Sequence, residues 1–284
     1  METNRPSLTA HRVAMLRAAH QVLDHPRVFE DPVALRIVGA QGAADISSAA
    51  DKYKTTLATY LRAFLVARSK YAEDGLSAAI GRGARQYVIL GAGLDTFAYR
   101  NPYPSDTLQV FEVDHPSTQA WKRERLEAEH IAVPESLRFA PVDFEREALE
   151  SQLLKAGFTK DVPSFFSWLG VTMYLPANAV IATLRSIASM AAHGSEIVFD
   201  YSISPSAMGV GDSSDYQIMA THVAELGEPW RSAFVPDMLA SDLPAMGLAP
   251  AEDLGPDELN ARFFRDRTDA LRVGGRAHLM KVIV

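Results

Sequence analysis

The sequence predicts a single α/β domain built on a doubly wound, mostly parallel sheet. Three observations predict it. From about position 85 to 202, short apolar runs alternate with helical patterns, as strands joined by crossover helices do. The first run, "VILGAGLDTFAYR" (88–100), passes straight into Gly-Ala-Gly and an acid, as a nucleotide-binding strand enters its turn. The last run, "AHLMKVIV", reads as a strand that closes the sheet.

The elements follow in order. Ala10, Val13, Leu16, Ala19 and Leu23 keep helical spacing over 8–23, with Ser7 or Thr9 as the N-cap. "DHPRVFEDP" (24–32) breaks that helix, and a Gly/Ala/Ser-rich stretch (39–50) reads as a polar connector. A longer helix is expected over 55–80, its stripe formed by Leu57, Leu61, Phe64, Leu65 and Tyr71. Strands are expected at 86–91, 108–114, 137–142, 164–170 and 195–202, with helices near 116–130, 145–156 and 177–192. An irregular piece (204–231) interrupts the alternation. A helix at 236–246, an apolar-edged segment at 248–254 and the final strand complete about seven strands. No Pro/Ser-rich linker divides the chain between 80 and 90.

Composition narrows the function. The 284 residues are 48% hydrophobic and 22% charged, an ordinary globular balance. No apolar run has the length of a membrane span, and the N-terminus lacks a signal-peptide core, so a cytoplasmic location is expected. Zero cysteines exclude disulfides, zinc-thiolate sites and a cysteine nucleophile. The net charge of −7 disfavours nucleic acid as a partner. The eight histidines show no metal-ligand spacing.

The glycine turn then asks for its ligand. A dinucleotide fingerprint places its third glycine at position 96, but Thr96 stands there. Gly91 and Gly93 let the backbone turn sharply and approach a ligand. Asp95 puts a negative charge where a diphosphate would sit. That charge suits a ligand bearing an ammonium group, as S-adenosylmethionine does. The second strand ends in Asp114, 21 residues after Gly93, near the spacing of an acid that grips ribose hydroxyls. The third strand ends "PVDF", which places Asp143 to meet an adenine amino group. Two arginines complete the set. Arg68 interrupts an apolar helical stripe, and Arg17 shares a face with Ala10 and Val13. Each either snorkels or reaches the carboxylate of the methionine moiety.

With these residues in view, the chain resembles the leucine carboxyl methyltransferase family, including its bacterial S-adenosylmethionine-dependent branch. "TAHRVAMLRAAHQVLDHPRVFEDPVA", "VARS", "VILGAGLDTFAYR", "FEVDHP", "PVDF", "GVTMYLP" and "GEPWRS" carry the resemblance, in family order, over about nine-tenths of the chain. The resemblance implies a class I methyltransferase fold, Rossmann-like, with seven strands, the last antiparallel, and S-adenosylmethionine as cofactor. It implies Arg17 and Arg68 at the cofactor carboxylate, Gly91 at the methionine backbone, Asp114 at the ribose, and Asp143 with Phe144 at adenine. Residues 1–80 then form a helical cover, 81–203 the cofactor-binding half, 204–235 a lid-like insertion, and 236–284 the completion of the sheet. One departure stands out: Leu169 precedes the Gly-Val-Thr-Met-Tyr-Leu run where the family often has Glu. This favours a small-molecule methyl acceptor over a protein.

Methyl transfer from a sulfonium is an in-line displacement, and a carboxylate acceptor needs no general base. A phenol acceptor would need one or a cationic neighbour, and His115 and His222 are the candidate bases. Tyr174, Tyr201, Trp230 and Arg231 are the candidates for the acceptor pocket. Three rivals compete with this reading. A nicotinamide-dependent oxidoreductase lacks its third glycine and any Tyr-x-x-x-Lys pair. A nucleic-acid methyltransferase would carry its Asn-Pro motif after the fourth strand, whereas "NPYP" (101–104) follows the first. A non-catalytic S-adenosylmethionine binder is kept open by Leu169.

Overall fold

Seven strands form one sheet in the order β3-β2-β1-β4-β5-β7-β6. The computed structural model describes residues 7–207 and 229–284. The strands are β1 (Gln86–Leu90), β2 (Gln109–Asp114), β3 (Leu137–Pro141), β4 (Ser164–Trp168), β5 (Glu196–Ser202), β6 (Ala249–Leu254) and β7 (Ala277–Ile283). Strands β1 to β5 pair in parallel, and β7 runs antiparallel to both β5 and β6. This is the class I methyltransferase arrangement with the expected reversed last strand. The chain reverses its direction of growth at β1, which lies between β2 and β4. That makes the end of β1 the switch point where an open α/β sheet binds ligands.

Strand alternation supplies two cores. Tyr87, Ile89, Val110, Phe165 and Val198 face one side, while Val88, Leu90, Phe111, Phe166 and Phe199 face the other. The first side packs against α5 (Thr56–Gly81), the second against α7 (Leu149–Lys155) and α8 (Ala177–Met190). The near-continuous apolar runs of β1 and β4 are what burial on both faces requires. Helix α1 (Leu8–Leu23) joins α2 (Ala34–Ile37) and α3 (Gly39–Ser48) in a third apolar cluster, which covers the switch point through Leu94. Ser7 is its N-cap, accepting from Ala10 N at 3.1 Å. Helix α6 (Pro116–Ala128) follows β2.

Two expectations change. The stretch 39–50 is not a connector: α3 occupies it, followed by the short α4 (Ala50–Tyr53). Gly42 lies so close to Met15 and Val38 that a Cβ would stand about 3 Å from each, so this glycine serves helix packing rather than a turn. The helix expected over 145–156 begins only at Leu149, because Asp143 organises the preceding turn, Oδ1 accepting from Glu145 N at 3.0 Å. After α9 (Pro236–Asp242), an additional helix, α10 (Pro256–Phe263), follows β6, with Gly255 N donating to Glu258 at its start. Most of the expected lid-like insertion, including His222, lies outside the described residues.

Candidate active site

The parallel strands end in register. Leu90 pairs with Val113, Ile89 with Ser167, Asp114 with Pro141 and Trp168 with Phe199. Their carboxyl ends therefore open into one cavity of about 770 Å³, roofed by α1 and the first half of α5. Its lining includes Gly91, Gly93, Asp95, Asp114, Asp143 and Phe144 from the strand ends, and Arg17 and Arg68 from the roof. Tyr174, Trp230 and Arg231 line it as well.

The turn after β1 is shaped by its glycines. Gly91 and Gly93 have φ of 67° and 45°, values that favour glycine. A Cβ on Gly91 would meet Val171 at 2.2 Å, and one on Gly93 would meet Ala10 at 3.1 Å. Both glycines are thus needed for close packing against protein, in addition to bringing backbone to a ligand. Asp114 grips the turn from β2: Oδ2 accepts from Gly93 N at 2.5 Å and Oδ1 from His115 N at 2.6 Å. Burial pushes its carboxyl up, and these two N–H groups oppose the rise. Its oxygens border the cavity as acceptors suited to hydroxyl donors. Asp95 accepts from Phe97 N at 2.8 Å, and its side chain stays a quarter exposed. Phe144 packs against Trp168, ring centres 6.1 Å apart.

The two arginines do different things. Arg68 lines the cavity and donates from Nη1 to Asp200 Oδ2 at 2.5 Å. Arg17 lines the cavity and also holds protein groups. Nη2 donates to Leu94 O at 2.7 Å, Nε lies 3.1 Å from Asp31 Oδ2, and Nη1 lies 3.5 Å from Asp95. Its guanidinium fastens the turn to the roof while it lines the cavity. The same Asp31 accepts from the Thr96 hydroxyl at 2.6 Å. Threonine therefore replaces the third glycine because the buried Asp31 needs its donor there.

Tyr201 is not among the residues that line the cavity. It is fully buried, and its hydroxyl donates to Asp253 Oδ2 at 2.7 Å. In β5 the alternation turns residues 200 and 202 towards α5 and the cavity and residue 201 away. Ser202 lines the cavity in its place. Burial and the Asp253 carboxylate push the Tyr201 phenol up, so it stays protonated at neutral pH. His115 lines the cavity, but its Nδ1 caps α6 by accepting from Ser117 N. Arg231 donates to Glu145 at 2.8 Å near the cavity mouth, and its own N–H donates to Met173 O at 2.6 Å. Sequence reasoning missed Asp200 and Ser202. The signal available was an acid inside the buried run "EIVFDYS".

The switch-point cavity thus has an acid at the end of β2 and a turn that carries Asp95, with Thr96 in place of the third glycine. The leucine carboxyl methyltransferase pattern matches residues 10–188. The chain belongs to the leucine carboxyl methyltransferase family. Among its relatives is the Bacillus subtilis (strain 168) protein named "Putative S-adenosyl-L-methionine-dependent methyltransferase YktD", 34% identical over 303 residues, covering 100% of this chain and 99% of that one. A Mycobacteroides abscessus protein with the same name, without the final designation, is 32% identical over 217 residues, covering 73% of this chain and 71% of its own. The fold also resembles a solved structure described as a putative methyltransferase from Thermobifida fusca, with TM-score 0.58, 15% identity, and coverage of 99% of this chain and 96% of that one. A DUF574 family protein from Streptomyces avermitilis gives TM-score 0.59 and 12% identity, covering 95% and 96%. Within the family pattern, Leu169 lines the cavity with an apolar side chain packed against the core. Among the described residues no helix is long and apolar enough to cross a membrane.

Proposed function

We propose that this methyltransferase uses S-adenosylmethionine to methylate a carboxylate oxygen of a small molecule, giving a methyl ester. One observation carries the reading: the cavity has acceptors at one end, Asp114 and Asp143, and a guanidinium, Arg68, at the other. That polarity suits a ligand with ribose and adenine donors at one end and a carboxylate at the other. When bound, S-adenosylmethionine supplies the electrophilic methyl group on a sulfonium. Asp114 accepts from the ribose hydroxyls. Asp143 accepts from the adenine amino group while Phe144 covers the ring. Arg68 binds the methionine carboxylate, and Asp95 lends negative potential to the cationic centre. Tyr174, Trp230 and Arg231 flank the acceptor, with Arg231 drawing in an anion.

An ionised carboxylate attacks without losing a proton, so the protein need supply alignment and a dry site rather than a base. This suits a site where His115 is tied into a helix cap and Tyr201 faces away. Leu169 adds an apolar surface to the lining, which suits the hydrocarbon part of a small molecule. The test is transfer of a labelled methyl group from S-adenosylmethionine into a metabolite extract. Label released as methanol by mild alkali is expected. Alkali-stable label would reassign the acceptor to a phenol or hydroxyl. Binding of S-adenosylhomocysteine with no transfer to any acceptor would make the protein a non-catalytic binder.

A further inference from the structure

Asp200 does not itself line the cavity, yet it organises one end of it through two residues that do. It is fully buried on β5. Oδ2 accepts from Arg68 Nη1 at 2.5 Å, and Oδ1 accepts from Gly170 N at 2.6 Å. Its carbonyl accepts from the Thr172 hydroxyl at 2.5 Å. Arg68 is held on two further sides. Its guanidinium carbon lies 5.6 Å from the centre of the Phe64 ring. Gly170, at φ 74°, lies so close that a Cβ there would stand 2.7 Å from Nη2 and 3.0 Å from Nη1. Among the described residues, Asp200 is the one acceptor bonded by this guanidinium.

We infer that Asp200 is a positioning residue. It fixes the Arg68 guanidinium, before any ligand arrives, in the orientation that receives the carboxylate of the cofactor, and it ties that orientation to the loop after β4. A buried guanidinium with no counter-charge is costly, and a free one swings among rotamers whose entropy is lost on binding. A single oxygen of Asp200 removes both problems. It engages one N–H and leaves the rest of the planar fork for a ligand carboxylate. Leu169 brings no charge to this wall, so the counter-charge comes from the neighbouring strand. Gly170 is required because any side chain there would occupy the space of the guanidinium.

The inference rests on the reading of the cavity as an S-adenosylmethionine site, and the test separates the two. The probes are S-adenosylhomocysteine and 5′-methylthioadenosine, which shares the nucleoside and thioether but lacks the amino-acid end. Asp200→Asn should weaken S-adenosylhomocysteine by about tenfold or more, as loss of an outer partner of a binding group does, and leave 5′-methylthioadenosine unchanged. In an Arg68→Met background, Asp200→Asn should have no further effect on either probe. Equal weakening of both probes by Asp200→Asn would reduce Asp200 to a general structural role. Unchanged binding of both would dismiss the inference. If Arg68→Met itself leaves S-adenosylhomocysteine binding intact, the cofactor reading of Arg68 fails instead. A measurement on the unmutated protein covers the case in which Asp200→Asn does not fold. Arginine side-chain NMR should show Arg68 with separate, slowly exchanging Nη signals in the free protein. Signals averaged in the free protein and separated only by S-adenosylhomocysteine would overturn the inference.

Discussion

Thr96 is fully buried, and its hydroxyl serves Asp31, which is itself almost fully buried. Replacing it by glycine would restore the dinucleotide fingerprint on paper. The physical expectation is different. Thr96→Gly leaves a buried carboxylate short of a donor, which costs about 1–3 kcal/mol, and it leaves the Asp95 charge in place. Thermal denaturation should show the loss of stability, and calorimetric titration should show no gain in NAD affinity. A variant that binds NAD tightly would mean that Asp95 does not decide the ligand. Tyr201 gives a second expectation at this scale. Tyr201→Phe removes one hydrogen bond to Asp253 on the face away from the cavity. It should lower stability by about 1 kcal/mol and leave methyl transfer unchanged. A large fall in turnover would return the hydroxyl to the acceptor pocket.

At the scale of elements, α1 is held to α5 by a buried junction just past its end. Arg62 of α5 forks onto Asp24, Nε at 2.6 Å and Nη2 at 2.9 Å. His20 Nδ1 meets the same carboxylate at 2.8 Å, while its Nε2 accepts from Val28 N and Phe29 N. Burial pushes the Asp24 carboxyl up, but the hydrogen bonds and charges of His20 and Arg62 outweigh it and hold it below its usual range. A depressed carboxyl stabilises the fold above its unfolded pKa, and the contribution is lost as pH falls through the folded value. The junction is therefore intact at neutral pH, and its contribution is lost only as pH falls below the ordinary carboxyl range. Asp24→Asn should cost about 3–5 kcal/mol at neutral pH, the penalty for stranding a buried charge. It should also flatten the fall in stability at acid pH. Denaturant melts at several pH values check both. The same elements show how far the sequence could be read. The extents of α1 and α5 were legible from periodicity, and of the two caps the sequence offered for α1 the structure selects Ser7. Helix α3 was not, because glycine and serine in its sequence signal a loop, and only contact with Met15 and Val38 explains Gly42.

At the scale of the whole molecule, an ion pair lies inside the domain beneath the β1 turn. Lys122 of α6 approaches Glu112 of β2 at 2.7 Å, and both are about 1% exposed. The Tyr99 ring lies 5.3 Å from the ammonium. Among the described residues, Glu112 Oε1 has no hydrogen-bond partner. Burial pushes the Glu112 carboxyl up to about 7 against the pull of Lys122. A carboxyl raised on folding binds more protons in the native state, so it makes stability fall as pH rises from its ordinary value of about 4.3 towards 7. Glu112→Gln should remove that slope, which equilibrium denaturation between pH 4.5 and 7.5 would reveal. A slope retained in the variant would assign it to other groups. Replacing the pair together, Glu112→Leu with Lys122→Met, should be close to neutral or stabilising, whereas Lys122→Met alone should be strongly destabilising.

The sequence by itself determined the alternation of strands and helices, the position of the glycine turn, and the acids at the ends of β2 and β3. These are local facts, set by a period of two or 3.6 residues and by which residues end an apolar run. It also carried the family pattern. What only the tertiary structure decided was the partner of each charge. Arg17 and Arg68 look alike in sequence, both charged residues on apolar helical faces. One bonds Leu94 and pairs with Asp31 and Asp95, and the other is clasped by Asp200 from a strand 132 residues away. Likewise residues 201 and 202 are neighbours in the chain, yet the pleat sends one to Asp253 and the other to the cavity. Contacts between distant segments depend on which faces the sheet brings together, and no local pattern encodes that.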